Sequence, residues 1–181
     1  MRVIAGRVGG RLLRAPRGRD TTRPTSDRVK EAIFSMLDTV QDAQVLDLFA
    51  GTGALGIEAL SRGAKRAVFV ERDRAALEAL SANLGALSLQ ASEAEVRRGE
   101  ALSALRSARK HSETYDLVLI DPPYRRASDL GGELSLALAP LLTPQARVVV
   151  ESDRRAPLEL PWEIEKERCY GDTTITIHRY E

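Results

Sequence analysis

The pattern of hydrophobic positions divides the chain into two parts. Near the N-terminus, residues 3–5 and 11–13 are short apolar segments on either side of a Gly-Gly pair, which predicts a small hairpin. A helix is predicted to begin at Thr25 or Ser26, because either residue can cap it and apolar residues then recur on one face. Those apolar residues are Val29, Ile33, Phe34 and Leu37.

From residue 44 onward, apolar segments of strand length alternate with helical segments. This alternation predicts a mostly parallel seven-stranded sheet with helices on both faces, a three-layer α/β/α fold. The last two strands flank Gly171-Asp172 and predict a closing antiparallel hairpin. We expect one domain overall, made of a basic arm (residues 1–24) and a main body (residues 25–181). The predicted strands are 45–48, 67–70, 94–96, 117–120, 148–150, 162–170 and 173–180, and the predicted helices after residue 44 are 54–61, 74–84, 101–108 and 130–138.

The composition is that of a globular protein outside the membrane. Hydrophobic residues make up 43% of the 181 and charged residues 29%. No apolar run approaches the roughly 20 residues that a membrane-spanning helix needs, and the N-terminus lacks the apolar stretch of a secretory signal. A single cysteine excludes an internal disulfide. We therefore expect a cytoplasmic protein with no membrane partner.

Charge is distributed unevenly along the chain. Residues 1–30 contain nine basic and two acidic residues, a net charge of +7, whereas the remaining 151 residues carry −6. A basic arm on an acidic body is typical of proteins that bind a polyanion such as nucleic acid, although a solubilising tail has the same composition. The candidate nucleic-acid contacts in this segment are Arg7, Arg11, Arg28 and Lys30.

A glycine loop follows the first predicted strand of the body. Gly51, Gly53 and Gly56 match G-x-G-x-x-G, and Glu71 lies 20 residues beyond Gly51, at the end of the second strand. The glycines permit a tight turn and close approach of a ligand, and the acid can accept hydrogen bonds from ribose hydroxyls. This combination predicts a cofactor that contains adenosine. It does not choose between a dinucleotide and S-adenosylmethionine.

Asp47, just before the loop, favours S-adenosylmethionine. Its carboxylate would repel a pyrophosphate but would suit a cofactor that presents an ammonium and a sulfonium. Taken singly, each of these residues has an ordinary structural explanation: the glycines as turn residues, and Asp47 and Glu71 as solvated acids at strand ends. Their joint spacing favours the cofactor site.

The tetrapeptide Asp121-Pro122-Pro123-Tyr124 follows the most apolar strand, at the edge where such sheets bind ligands. The Asp121 carboxylate and the Pro122 carbonyl can accept hydrogen bonds from the two hydrogens of an aromatic amine. This would localise the lone pair of the nitrogen, and Tyr124 can stack on the base. Pro123 restricts the conformation of Pro122 and so directs its carbonyl. A plain Asp-Pro turn is the alternative. We assign the catalytic role to Asp121, Pro122 and Tyr124.

These motifs resemble a known family. Asp121-Pro122-Pro123-Tyr124 is similar to the amino-methyltransferase motif of class I, Rossmann-like methyltransferases. Three further segments resemble the RsmD family of bacterial 16S rRNA guanine-N2 methyltransferases, namely Arg23-Pro24-Thr25 with residues 27–31, residues 46–64, and Tyr170-Gly171-Asp172-Thr173. The opening Ile4-Ala5-Gly6-Arg7 with Gly10-Arg11 is also similar, so the resemblance covers nearly the whole chain.

The resemblance implies how the cofactor is held. It implies that Asp47 and the loop glycines bind the methionine part, that Glu71 binds the ribose, that Glu100 lies against the adenine amine, and that residues 23–27 close over the site. Arg125 and Arg126 would contact the phosphate backbone of the nucleic acid. The alternative is that both are solvated surface charges. The implied cofactor-binding set is Arg23, Thr25, Asp47, Phe49, Gly51, Gly53, Glu71, Arg72, Glu100 and Ala101.

The resemblance also implies the reaction and the partners. S-adenosylmethionine would methylate the N2 amine of a guanine in 16S rRNA, within a small-subunit assembly intermediate, with no metal and with the protein acting as a monomer. Three alternatives stay open: an adenine-N6 methyltransferase acting on DNA, a NAD-dependent oxidoreductase, and a non-catalytic RNA-binding or assembly factor.

Overall fold

The computed structural model describes residues 1–16, 26–122 and 127–181, without the side chains of residues 127–129. Within these residues, the structure has seven strands and five α-helices, which alternate along the chain up to β5. The helices are α1 (Asp27–Met36), α2 (Ala54–Ser61), α3 (Arg74–Ala86), α4 (Ala101–Lys110) and α5 (Ala127–Leu138). The strands are β1 (Gln44–Asp47), β2 (Arg66–Glu71), β3 (Ala94–Arg98), β4 (Tyr115–Ile120), β5 (Leu142–Asp153), β6 (Glu163–Tyr170) and β7 (Thr173–Arg179).

All seven strands form one sheet in the order β3-β2-β1-β4-β5-β7-β6. Strands β1 to β5 pair in parallel, and β7 lies antiparallel between β5 and β6. The predicted seven-stranded, mostly parallel sheet with an antiparallel C-terminal hairpin is confirmed. The strand order reverses between β1 and β4, so the carboxyl ends of these two strands flank the crevice where such sheets bind ligands.

Two apolar clusters cover the two faces of the sheet. Helices α1, α2 and α3 pack on one face, around buried residues such as Phe69 and Leu119. Helices α4 and α5 pack on the other face, against Val68 and Val118 among others. Because side chains alternate across a strand, neighbouring residues of β2 and β4 supply the two clusters in turn. Burial of both faces explains why these strands appear in the sequence as continuous apolar runs.

Helix α1 begins and ends at residues that fix its position. The Ser26 side chain accepts a hydrogen bond from the Val29 N–H, which confirms the predicted cap. At the other end, Arg147 of β5 donates hydrogen bonds to the Leu37 and Thr39 carbonyls. Cations at a helix C-terminus satisfy carbonyls that lack helical partners and complement the helix dipole. These contacts hold α1 against the C-terminal half of the sheet.

The predicted N-terminal hairpin is present as a minimal antiparallel pairing. Arg2 and Leu12 form an isolated bridge, and the Val3 N–H donates to the Arg11 carbonyl at 2.9 Å. The connection is longer than the Gly-Gly turn expected, since bends and turns occupy residues 5–10. Its backbone bonds instead to α2: the Ile4 N–H donates to Glu58 at 2.7 Å, and the Arg7 N–H donates to the Ser61 carbonyl at 2.8 Å.

Strand β5 is longer than the apolar pattern predicts. The sequence indicates only residues 148–150, but the strand extends to Asp153 because polar residues continue the pairing with β7. Glu151 pairs with Ile175 and Ser152 with Thr174, and both polar residues are buried. Within the described ranges, no helix is long and apolar enough to span a membrane.

Candidate active site

The glycine loop connects β1 to α2 and packs tightly against its surroundings. Gly53 begins α2 in the left-handed conformation, with φ of +83°, and a Cβ there would lie 2.4 Å from Cδ1 of Leu80. A Cβ on Gly56 would lie 2.3 Å from the ring of Phe69, which is fully buried in β2. Gly53 is therefore required by its left-handed backbone and its contact with α3, and Gly56 by the close packing of α2 against β2, as the motif predicts.

The Glu71 carboxylate ties the tip of β2 to this loop. One oxygen accepts the Gly51 N–H at 2.8 Å, and the other accepts the N–H groups of Arg72 and Asp73, both at 2.7 Å. Three backbone donors thus fix the orientation of one carboxylate. Glu71 is half-buried, so it combines a rigid position with access from the site.

Asp47 is buried at the end of β1, with only 2% of its surface exposed. Its Oδ2 accepts the Gly56 N–H at 3.0 Å. The pKa of the Asp47 carboxyl is raised to about 7, chiefly because burial disfavours its charged form. The negative charges of Asp121 and Glu71 act in the same direction, while the hydrogen bond from Gly56 opposes them. A cation placed beside Asp47 would relieve this unfavourable burial of charge.

Asp121 follows β4, which pairs with β1 across the switch point. Asp47 is in register with Leu119, so Asp121 lies two residues beyond the level of Asp47. The negative charge of Asp121 helps to raise the pKa of Asp47, so the two carboxylates lie in one electrostatic environment. Asp121 is half-buried and Pro122 is buried. The tips of β1, β2 and β4 therefore carry three carboxylates around one crevice.

Two charged residues extend this crevice toward β3. Arg72 and Glu100 form an ion pair of 2.8 Å, and both side chains are more than half exposed. Glu100 directly precedes α4 without a capping hydrogen bond from its side chain, and Ala101 is the buried first residue of that helix. Phe49 lies in the glycine loop and packs, half-buried, on the cluster under α4 and α5. The structure thus brings the predicted residues of the first three strand ends to one edge.

Five predicted site residues belong to segments that the structure does not describe. Arg23, Thr25, Tyr124, Arg125 and Arg126 lie outside the described residues. Their predicted roles therefore stay predictions.

The prediction that Lys30 contacts nucleic acid is wrong. Its side chain is completely buried, and its Nζ donates to the Arg2 carbonyl. Carboxylate oxygens of Asp27 and Glu58 lie 3.8 Å and 4.0 Å away. Burial lowers the pKa of the Lys30 ammonium, and these two acids counter that effect. Lys30 therefore joins the arm to α1 and α2 inside the protein.

The other predicted nucleic-acid contacts divide between the two edges of the sheet. Arg7 pairs with Glu93 at 2.6 Å, and Arg11 donates to the Ala86 carbonyl at 3.2 Å. Residues 86 and 93 end α3 and precede β3, so both arginines lie toward the edge opposite the carboxylates. Arg28 is different, because it is exposed at the start of α1, with its guanidinium 5.8 Å from the ring centre of Tyr170.

Sequence reasoning missed the polar residues that fasten the arm to the body. Asn83 is buried in α3: its side chain bonds to the N–H of Arg14 at 2.7 Å and to the carbonyl of Thr52 at 3.0 Å. Glu58, fully buried in α2, accepts the backbone N–H of Ala5 at 3.1 Å. For Glu58 the available signal was a single charged residue within an otherwise apolar helical segment, which tertiary contacts must satisfy. Helix α3 contains several polar residues, so the sequence gives no comparable signal for Asn83.

The full length of the chain matches known relatives. The family model described as "Conserved hypothetical protein 95" matches residues 1–179. The chain is 37% identical to Ribosomal RNA small subunit methyltransferase D of Escherichia coli K12, over 100% of this chain and 90% of that protein. It is 34% identical to the Haemophilus influenzae protein of the same name, over 99% and 93%. The chain belongs to the RsmD family.

Solved structures of similar proteins share the whole fold. The Escherichia coli protein yhhF superposes with a TM-score of 0.85 at 36% identity, covering 100% of this chain and 98% of that one. More distant structures share the class I methyltransferase fold alone. One of these is an RNA methyltransferase from Salinibacter ruber in complex with S-adenosyl-L-homocysteine, with a TM-score of 0.66 and 21% identity over 86% of this chain and 92% of that one. The family predicted from the sequence is therefore confirmed.

Proposed function

We propose that this protein transfers a methyl group from S-adenosylmethionine to the N2 amine of a specific guanine in 16S rRNA during small-subunit assembly. The observation that carries the proposal is the set of three carboxylates, Asp47, Glu71 and Asp121, around the switch point of the sheet. The names of the RsmD relatives support an rRNA substrate. The S-adenosyl-L-homocysteine bound in the Salinibacter structure supports S-adenosylmethionine as the methyl donor.

The chemistry of the donor set fits S-adenosylmethionine. Asp47, buried and flanked by other acids, is suited to the positive charge of an amino-acid ammonium. Glu71 would accept hydrogen bonds from the ribose hydroxyls, as its counterparts do in other adenosine sites. Glu100 and Ala101, at the start of α4, would line the adenine side. A pyrophosphate would meet three carboxylates here, which disfavours the NAD-dependent alternative.

The bound cofactor would supply a methyl group carried on a sulfonium. Loss of this methyl group would turn the sulfonium into a neutral thioether, which is the leaving group. Asp121 and the Pro122 carbonyl would hold the two hydrogens of the guanine amine and so make its nitrogen lone pair available. As the nitrogen–carbon bond forms and the sulfur–carbon bond breaks, the nitrogen loses a proton, for which Asp121 is the acceptor that we propose. Positioning of this kind supplies a large part of the rate enhancement in two-substrate reactions.

The reaction can be tested on small subunits purified from a strain that lacks this methylation. The protein and S-adenosylmethionine are incubated with these particles, and nucleosides of the digested 16S rRNA are quantified by mass spectrometry. We expect one N2-methylguanosine per subunit. Methylation of adenine in duplex DNA, or binding of NAD without binding of S-adenosylhomocysteine, would contradict the proposal.

Two variants separate catalysis from cofactor binding. Asp121→Ala should lower turnover by about a hundredfold or more while S-adenosylhomocysteine still binds, because this carboxylate is assigned to the substrate amine. Glu78→Ala removes an exposed carboxylate of α3 that pairs with Arg74, and it should leave turnover and cofactor binding unchanged. Normal turnover by Asp121→Ala would favour the alternative of a non-catalytic assembly factor.

A further inference from the structure

We propose that Arg154 and Arg155, in the turn after β5, bind the phosphate backbone of the RNA beside the target base. This inference rests on the proposed function, and it assigns an RNA contact to a segment outside the basic arm. Both arginines are exposed. Within the described residues, neither guanidinium takes part in an ion pair or side-chain hydrogen bond.

The length of β5 places this turn above the edge that carries Asp121. Ile120, the last residue of β4, is in register with Val150, whereas β5 continues to Asp153. Glu151 is therefore level with Asp121, and Arg154 lies three residues beyond Glu151. At about 3.3 Å per residue, the turn stands roughly 10 Å beyond the level of Asp121. The strand next to the proposed catalytic one thus projects a basic turn over the rim of the crevice.

The turn is held in one conformation by its own backbone. The Arg154 N–H donates to the Asp172 carbonyl of the β6–β7 turn at 2.8 Å, and the Arg155 N–H donates to an Asp153 carboxylate oxygen at 2.8 Å. A bond of 3.0 Å from the Ala156 N–H to the Asp153 carbonyl closes it. The Asp153 carboxylate is therefore engaged with the turn backbone. A fixed loop that presents two exposed guanidiniums loses little entropy when it binds an anion.

Arg28 extends the same surface. It lies over Tyr170, the last residue of β6, and Tyr170 pairs with Thr173 on the other side of the turn that contacts Arg154. Strands β5 and β6 both run antiparallel to β7, so their carboxyl ends share the edge of Asp121. Three exposed arginines therefore follow the rim on the side of β5.

The chemistry of the substrate explains why this rim would bind phosphate. A base can reach Asp121 only if it leaves its stack and enters the crevice, and its own phosphates then remain at the rim. Arginine binds phosphate oxygens through paired N–H donors, and such contacts position the nucleic acid without reading its sequence. The expected ligand is therefore the backbone of a single-stranded or extruded RNA segment.

The test compares two double variants that remove the same charge at opposite edges. Arg154→Ala with Arg155→Ala removes the proposed contact. Arg109→Ala with Lys110→Ala is the control, because these exposed residues end α4 at the edge away from Asp121. Affinity for a 16S rRNA fragment that contains the methylated site is measured from 50 to about 300 mM salt, together with turnover and binding of S-adenosylhomocysteine.

We expect the first variant to bind RNA roughly 10- to 100-fold more weakly, with KM raised and cofactor affinity unchanged. The slope of log affinity against log salt should fall by about 0.7 to 0.9 for each phosphate that the variant no longer neutralises. The control should match the wild type. If both variants bound RNA with the same affinity and salt dependence while the wild-type protein still methylated its substrate, the proposal would be overturned. The proposed function would then still stand. Weaker binding to the assembled particle alone, with naked RNA unaffected, would also overturn it and would indicate a protein contact.

Discussion

The backbone N–H of Gly51 donates a 2.8 Å hydrogen bond to the carboxylate of Glu71. Two residues that are 20 positions apart are thereby joined, and the glycine loop after β1 is fixed to the tip of β2. The same carboxylate also accepts two N–H groups of its own turn, from Arg72 and Asp73. Glu71 therefore has a structural role in shaping the loop as well as its proposed role in binding ribose.

Glu71→Gln should weaken cofactor binding by about 10- to 100-fold and lower the melting temperature by several degrees. The glutamine amide has one accepting oxygen, so at least one backbone donor loses its partner, at a cost of about 1–3 kcal/mol. Titration calorimetry with S-adenosylhomocysteine and thermal unfolding measure the two effects. Glu78→Gln is the matched control, and similar results for both variants would contradict the structural role.

Asp47 should make the stability of the cofactor-free protein depend on pH. Its pKa is raised by burial from 3.8 to about 7, so the folded state binds a proton that the unfolded state releases. Stability should therefore fall as pH rises from about 4 to about 7. Asp47→Asn should remove this dependence and melt at a higher temperature than the wild type at pH 8. If the stability of the two proteins changed with pH in the same way, the raised pKa of Asp47 would be contradicted.

The raised pKa of Asp47 also predicts proton release on cofactor binding. If the cofactor ammonium lies beside Asp47, binding will lower that pKa, and the carboxyl will lose its proton near pH 6.5. Calorimetric titrations in buffers of different ionisation enthalpy measure the number of protons released. At that pH we expect about 0.7 proton for the wild type and near zero for Asp47→Asn, which should bind the cofactor weakly.

Gly56→Ala should strongly destabilise the protein. The added Cβ would lie 2.3 Å from the Phe69 ring, which is fully buried and cannot move away cheaply. Overpacking of this kind costs about 1–3 kcal/mol. Gly85→Ala is the control: this exposed glycine lies in α3 with open space around it, and alanine there should stabilise the helix by about 0.5–1 kcal/mol. Urea unfolding of both variants checks the opposite signs.

Lys30→Met should reduce stability without changing how RNA binding depends on salt. The methionine retains most of the buried volume but leaves the Arg2 carbonyl without its donor and reduces the positive charge near Glu58. Because Lys30 is buried, its replacement leaves every phosphate contact in place. Arg28→Met, at the exposed start of the same helix, should reduce the salt dependence of RNA binding and leave stability unchanged. A reduced salt slope for Lys30→Met would show that the residue reaches RNA after all.

The parts of the fold and site that sequence reasoning predicted are those that depend on local pattern. Strands β1, β2 and β4 are buried on both faces, so their apolar runs are evident in the sequence. The glycine loop, Asp47 and Glu71 follow from spacing along one strand–helix–strand unit. For these elements, the chemistry and the geometry are both encoded within about 30 residues.

The parts that sequence reasoning missed depend on contacts between distant segments. Lys30 carries the same charge as the arginines among residues 1–30, and only its contacts with Arg2 and Glu58 show that it is buried. The far end of β5 is polar, and its pairing with β7 is what extends it. The role of Asn83 requires both the arm and the glycine loop to meet α3. No periodicity in the sequence contains this information.

The attachment of α1 has a consequence for the order in which the chain can fold during synthesis. Lys166 of β6 donates to the Met36 carbonyl at 2.7 Å and pairs with Asp38 at 3.0 Å, across some 130 positions. Helix α1 is made well before the side chains that bind its C-terminus, because Arg147 belongs to β5 and Lys166 to β6. Contacts over such separations form slowly and late. During synthesis, the carbonyls at the C-terminus of α1 therefore gain these partners only after β5 and β6 have been made.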